Sequence, residues 1–521
     1  VESASFYSLR KFLSLSLLGQ IVILIPLTTG LNNGLALTPP MGWMSWVRYA
    51  CETNCTLFPK GCINEDLYMK MADALADLGF KDVGYEYVNI DDCWSEMERD
   101  PNSKKLLPDR KRFPSGIASL ADYIHRKGLK FGIYSDIGTK TCAGYPGHLN
   151  GESSGPKNFF TLDAQTFAEW GVDSLKVDGC YANTTDYDHL YPELGKALNQ
   201  SGRPILYACS WPAYQVGEGK RPDYASIAKH CNYWRNYNDI MDSWPSVLSI
   251  IDFYAENQDD FVKYHGPGQW FDPDMIIVGD FGLSIDEARA QFALWSIMSA
   301  PLLMSNDLRT LRPEFKEILL NRHVIDVDQD PLGSFGRRVI VSENKGIEVW
   351  AKKLSEGHFA VVYFNRGVLG NPKWVSYKLG TILNKILAKR TTQDIVLTGD
   401  EDNVDDGGEV GLFNKIYTSP SLRTFREFRK STIPRRNKRK VRIPEYEDSE
   451  NDQRDLDDNQ NVHRGQRRRG EDFEDNPLTD LYYVTDLFEG GELIAKLTLS
   501  DDLVLKVNPS GVRMVRLIPR S

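Results

Sequence analysis

One pattern recurs from Leu37 to about Asp307: a short apolar run ends in aromatic, acidic or small polar residues, a helical stretch follows, and the pattern restarts. The runs are MGWMSW (41–46), YEYVNIDDCW (85–94), KFGIYSD (130–136), DSLKVDGC (173–180), PILYACSW (204–211), NYWRNYND (232–239), GQWFDPDM (268–275) and APLLMSND (300–307). Between them lie helix-like stretches such as LYMKMADALADL (67–78) and IASLADYIHR (117–126). Strands alternating with helices imply parallel βα units in an α/β fold. Eight units over about 270 residues predict a (β/α)8 TIM barrel, with a doubly wound open sheet as the alternative.

In such a barrel the chemistry sits at the C-terminal strand ends. Here those ends carry Trp46, Asp91, Asp92, Asp136, Asp178, Ser210, Asp239, Asp274 and Asp307. Carboxylates massed at one end of a barrel repel one another unless cations or a ligand compensate. They therefore point to a site rather than to a device for stability.

After Gln329-Asp330-Pro331 the pattern changes to alternation. GIEVWAKKL (346–354), HFAVVYFNRG (358–367) and the stretch 480–518 read as antiparallel strands of a C-terminal β-sandwich. The expected organisation is a signal peptide at 1–30, a catalytic barrel at 31–331 and a β domain at 332–521. Within the β domain, residues 424–476 are almost all charged and polar, and are expected to form a disordered insertion. Its run Arg436-Asn437-Lys438-Arg439 is either a proprotein cleavage site or part of an inert loop.

Arg10 and Lys11 precede the apolar run Phe12–Leu27, and small residues Thr28, Thr29 and Gly30 follow, as in a secretory signal. A membrane anchor is the alternative, although the run is short for a span. The eight cysteines suit an oxidising compartment and a full set of disulfides, with the pairing left open by parity alone. Sequons at Asn54, Asn183 and Asn199 agree with passage through the secretory route. A net charge of −10 argues against nucleic acid as a partner. The cysteines lack the CxxC or HxxxH company of a zinc site, so no metal site is expected.

A secreted barrel whose mouth carries aromatic rings and carboxylates suits a carbohydrate. Rings pack on sugar faces, and carboxylates, Lys and Arg bond the hydroxyls. Glycosidic cleavage then requires two carboxyl groups. Asp178 has Lys176 two residues earlier on the same strand face, a cation that would keep it ionised as a nucleophile. Asp239 follows Arg235 by four residues beside Trp234 and Tyr237, and an apolar setting would raise its pKa toward that of an acid/base. Spacing alone does not select these two from Asp91, Asp92 and Asp274. In CSWPAY (209–214), small Ser210 and Ala213 are framed by Trp211, Pro212 and Tyr214, which reads as a walled space.

MGWMSW, NIDDCW, GIYSDIGTKTCAGYPG, KVDGCY, CSWPAY, WRNYNDI and DPDM, in this order, resemble glycoside hydrolase family 27. Within it they are similar to the animal lysosomal enzymes that act on α-N-acetylgalactosamine and α-galactose. The resemblance covers about 31–370 and resumes at about 480–518. It implies a barrel plus a C-terminal β domain, a homodimer, residence in the lysosome without a stable membrane anchor, and a retaining double displacement without cofactor or metal.

Carried over by motif, Asp178 is the nucleophile and Asp239 the acid/base, about 5 Å apart. Trp46, Asp91, Asp92, Tyr134, Lys176, Arg235 and Asp274 then bind the sugar, together with Ser210, Ala213 and Tyr214. The disulfides implied are Cys51–Cys93, Cys55–Cys62, Cys142–Cys180 and Cys209–Cys231. Small Ser210 and Ala213 stand where galactose-specific members carry Glu and Leu, so they leave room for an N-acetyl group.

The sequence departs from the family at Phe271, where Asn is usual and a perturbed pocket loop is expected. It departs again in the long stretch HLNGESSGPKNFF (148–160), expected to bear on the aglycone, and in 424–476. An α-galactosidase proper is the alternative within the class. Outside it stand a non-catalytic sugar-binding barrel and a metal-dependent hydrolase suggested by Asp91-Asp92.

Overall fold

A computed structural model describes residues 33–388 and 481–520, save 152, 154 and 345. The expected signal at 1–30 and the charged stretch 424–476 lie outside the described residues. Eight parallel strands come first: β1 (Met41–Met44), β2 (Tyr87–Asn89), β3 (Lys130–Asp136), β4 (Ser174–Asp178), β5 (Leu206–Cys209), β6 (Tyr233–Arg235), β7 (Trp270–Asp272) and β8 (Leu302–Met304). Their order in the sheet is β7-β6-β5-β4-β3-β2-β1-β8. The curl closes where Ile276, four residues past β7, forms a parallel bridge to Met304. The Ile276 N–H donates to the Leu303 carbonyl at 2.8 Å, and the Ser305 N–H donates to that of Ile276 at 2.9 Å.

The strands are apolar because both faces are covered. Gly42 admits β2 to close range: a Cβ there would stand 2.4 Å from the Tyr87 carbonyl oxygen. The outer layer is helical. The helix Ile117–Arg126 buries Ile117, Leu120, Ala121 and Ile124, one stripe at helical spacing. The helix Glu65–Asp77 starts where the Asn64 side chain accepts the Leu67 N–H, with Glu65 and Asp66 favourably placed in its first turn.

The C-terminal half contains β9 (Arg337–Val341), β10 (Ile347–Lys353), β11 (Phe359–Asn365), β12 (Lys373–Lys378), β13 (Tyr482–Asp486), β14 (Glu492–Leu497), β15 (Asp502–Val507) and β16 (Val512–Pro519). They form an antiparallel six-stranded sheet, β14-β13-β16-β11-β10-β9, and the separate pair β12-β15. Val349, Val361, Tyr363 and Val515 from the large sheet share a core with Val375, Leu505 and Val507 from the pair, the two layers of a sandwich. A helix, Leu379–Leu387, adds Leu379, Ile382 and Leu383 to this core.

The opposite face of the large sheet packs on the barrel through the helix Ile285–Met298. That helix is buried on nearly every side after its first turn and opens with a Ser284–Glu287 capping box. Among the described residues no helix is long and apolar enough to cross a membrane.

Candidate active site

Three of the four disulfides join neighbouring strand ends or loops of the barrel. Cys51–Cys93 ties the loop after β1 to that after β2, Cys142–Cys180 joins the loops after β3 and β4, and Cys209–Cys231 links the end of β5 to the approach to β6. Cys55–Cys62 closes a short loop, and no cysteine is free. The strand ends they frame carry the carboxylates.

Asp178 ends β4, half-buried, and accepts a hydrogen bond from Tyr134 Oη at 3.0 Å. Lys176 does not bond it. Its Nζ donates instead to Asp91 Oδ2 at 2.7 Å, with Asp91 only 2% exposed. The cation expected to keep Asp178 ionised is thus bonded to a more deeply buried carboxylate, which needs it more than a half-exposed one does. Burial works against the charge on Lys176, but Asp91 and then Asp178 outweigh it and hold its pKa above the ordinary value. Burial raises Asp91 despite Lys176. It also lifts Asp92 to about 6, against the N–H groups of Ala143 and Cys93 that bond its carboxylate.

On the opposite side Arg235, at the end of β6, gathers a second cluster. Its Nη2 lies 2.9 Å from Asp239 Oδ1 and 2.8 Å from Asp274 Oδ2. Asp274 sits in the left-handed region (φ 83°) and also accepts the Ile240 and Met275 N–H groups. Burial pushes Asp274 up to about 6, with Arg235 opposing and Asp239 adding to the rise.

Asp239 differs. The surrounding protein pushes its carboxyl up, but Arg235 and Lys176 together pull harder, so its pKa lies below the usual carboxylate range. The expectation of a raised value is therefore corrected: the guanidinium dominates over the nearby rings, and 68% of the Asp239 side chain remains open to solvent.

Ser210 follows β5, 3% exposed, and caps the approach to the helix Trp211–Gly217, which carries Ala213 and Tyr214. Ser210 lines a narrow gap of about 10 Å³ together with Lys176, Arg235, Asp272, Asp274 and Met44, room for about one water. Tyr214 Oη lies 3.3 Å from both Cys142 Sγ and Cys180 Sγ. Burial raises its pKa, and Asp178, Asp136 and Asp239 raise it further. Trp46 follows β1, half-buried.

Phe271 is not at the pocket. It packs against Phe261 and Trp234 at ring distances of 4.3 and 4.9 Å, within the apolar layer outside the strands. The stretch 148–160 folds back through a Leu149–Asn158 bridge. Its root is fixed by buried His148, whose Nδ1 lies 2.7 Å from Asp163, itself held by both terminal nitrogens of Arg99. Asn54, Asn183 and Asn199 are all exposed.

Sequence reasoning passed over Ser45, whose hydroxyl donates to no base of the mechanism but accepts the Asp91 N–H and the Tyr68 hydroxyl. It also passed over Asp272, which accepts the Asp274 N–H. Position at a strand end could have flagged both, but nothing in their spacing ranks them.

The family described as "Alpha galactosidase A" matches residues 38–330, and its C-terminal beta sandwich domain matches 333–400. Alpha-N-acetylgalactosaminidase of Gallus gallus is 53% identical over 336 residues, 64% of this chain and 81% of that protein. Alpha-galactosidase A of Homo sapiens is 47% identical over 350 residues, 67% of this chain and 79% of that protein. Alpha-galactosidase I of Mortierella vinacea shares the fold at a TM-score of 0.65 and 24% identity, covering 94% of this chain and 98% of that structure. The chain belongs to the alpha galactosidase A family, glycoside hydrolase family 27, and is a glycoside hydrolase.

Proposed function

We propose that the chain is a retaining exoglycosidase that removes terminal α-N-acetylgalactosamine, and more weakly α-galactose, from glycolipids, glycoproteins and oligosaccharides. The observation that carries this reading is the pair of carboxylates with opposite supports, Asp178 on the Tyr134 hydroxyl and Asp239 on the Arg235 guanidinium. Asp178 attacks the anomeric carbon while Asp239 protonates the departing oxygen, giving a covalent glycosyl-enzyme. Asp239 then takes a proton from water, which releases the sugar with its configuration retained.

In the open site Arg235 keeps Asp239 ionised. A bound sugar covers the mouth and removes water from this carboxyl, which favours the protonated form. Asp91, Asp92, Lys176, Arg235 and Asp274 bond the sugar hydroxyls, and Trp46 and Tyr134 wall the ring. Ser210 and Ala213 leave space at the 2-position for an acetamide, and this favours N-acetylgalactosamine over galactose. The 53% and 47% identities to named enzymes of both specificities support the class, and an α-galactosidase proper is the second reading.

Passage to the lysosome with N-glycans at exposed Asn54, Asn183 and Asn199 accompanies this reading, as does a homodimer. Kinetics on nitrophenyl α-N-acetylgalactosaminide and α-galactoside at acidic pH test the proposal. Expected is the higher kcat/KM on the first, undiminished by a chelator; hydrolysis of neither would refute it.

A further inference from the structure

Asp136 is a carboxylate at the barrel mouth to which the mechanism above gives no task. It ends β3 and pairs in parallel register with Asp178 at the end of β4. It is wholly buried, at 0% exposure. No cation bonds it. Its Oδ1 accepts the Gly138 N–H at 2.8 Å and its Oδ2 accepts the Cys180 N–H at 2.9 Å. One side chain thus fastens the loop after its own strand to the backbone two residues beyond Asp178.

The two loops meet without side chains between them. A Cβ on Gly138 would fall 1.9 Å from the Cys180 carbonyl oxygen. Tyr181, next along, is held in the left-handed region at φ 52°. The Cys142–Cys180 disulfide rests on this junction. Cys142 Sγ lies 3.6 Å from Asp136 Oδ2 and 3.7 Å from Asp178 Oδ2, so a sulfur stands between the two carboxyls where water would otherwise enter.

We propose that Asp136 is a positioning residue for the nucleophile, acting through the Gly138 and Cys180 N–H groups to hold the disulfide as an apolar spacer against Asp178. The spacer fixes one flank of Asp178 while the Tyr134 hydroxyl fixes the other. Attack on an anomeric carbon depends on the approach of one oxygen along one line, and small displacements of the attacking atom cost rate rather than affinity. Asp136 is closed off from the open mouth, so its loss falls on kcat. Burial and the neighbouring Asp178 raise its pKa, with the two N–H groups opposing and Asp92 adding to the rise.

The inference rests on Asp178 being the nucleophile, and the test separates the two. Asp136→Asn, Cys142→Ser/Cys180→Ser and the triple variant are compared with the parent on nitrophenyl α-N-acetylgalactosaminide, per mole of folded enzyme. Inhibition by free N-acetylgalactosamine is measured alongside. Asp136→Asn is expected to lower kcat by about tenfold or more, with KM and the inhibition constant within threefold. The serine pair is expected to show a similar loss. Because both act through one junction, the triple variant should lose little beyond either, a coupling that two independent structural lesions would not show.

Full kcat in Asp136→Asn, additive losses in the triple variant, or a rise in KM that matches the loss of kcat/KM each overturn the proposal. So does failure of Asp136→Asn to fold, which would give Asp136 a role in folding alone. Asp178→Asn run in parallel reports on the nucleophile: turnover retained there would sink the functional reading instead.

Discussion

Asp280→Asn should stabilise the protein at neutral pH and leave it nearly unchanged in acid. Asp280 follows β7, its side chain 2% exposed, and its nearest cation is Arg48, whose Nε is 3.8 Å away. Neither carboxyl oxygen finds a hydrogen-bond partner among the described residues. Burial, then Asp242, push its pKa from 3.8 to about 8, with Arg48 opposing and Asp307 adding to the rise. A raised folded-state pKa means that folding takes up a proton. That contribution is whole below the unfolded value near 4 and is lost progressively as pH climbs toward 8. Each pH unit crossed inside the window costs about 1.4 kcal/mol at most, so about three units, from pH 4.5 to 7.5, cost the parent about 4 kcal/mol as an upper bound.

Asparagine keeps the shape and does not titrate. The expected gain is therefore about 2–4 kcal/mol at pH 7.5 and near zero at pH 4.5, after some relaxation around the buried charge. Urea unfolding followed by tryptophan fluorescence at both pH values measures it. Other titrating groups cancel when each variant is compared with the parent at the same pH. Equal shifts at the two pH values, or a loss at pH 7.5, would show that Asp280 is not held protonated by its surroundings.

Further outcomes are expected from the same physical arguments. Asp178→Asn should lose roughly 10³-fold or more in kcat while still binding N-acetylgalactosamine, as read by calorimetric titration. Ser210→Glu with Ala213→Leu should move the kcat/KM ratio toward α-galactosides by about 10–200-fold, the range available to steric selection in a pocket; an unchanged ratio counts against these two residues as selectors. Arg99→Ala should cost about 3–5 kcal/mol in urea unfolding, because it removes both guanidinium bonds from buried Asp163 and leaves only His148 beside that carboxylate; a cost under about 1 kcal/mol would contradict a buried network there. Gly42→Ala should abolish soluble expression, since the new methyl meets backbone rather than a movable side chain.

The barrel was legible because its strands are buried on both faces and so stand out as apolar runs with polar ends. The helix Ile117–Arg126 appears with the bounds its sequence suggests, since Ile117, Leu120, Ala121 and Ile124 keep strict spacing. Closure at Ile276 was not legible, because β7 is only three residues long and the bridge forms beyond it. The helix Leu379–Leu387 has helical spacing too, but it is short and lies among strand-like segments. In the site, motif order pointed to the residues but not to their partners. Lys176 has Asp178 two positions away and bonds Asp91, 85 positions away, because the fold brings a more deeply buried carboxylate to it. Asp239 carried both an arginine and aromatic neighbours in sequence, and only the geometry shows that the arginine governs it.

The helix Ile285–Met298 has a consequence beyond packing. Its Phe292, Trp295 and Ile297 belong to the same continuous apolar mass as Leu303 and Met304 of the barrel and Trp350, Val362 and Met514 of the β domain. Among the described residues the halves cannot be parted without opening that mass to water. A barrel produced alone would carry a wide greasy scar and would clump, and heating the whole chain should melt both halves in one step. The catalytic end and the β domain are one object thermodynamically, so damage to a distant β-strand reaches the sugar site as lost protein rather than as altered chemistry.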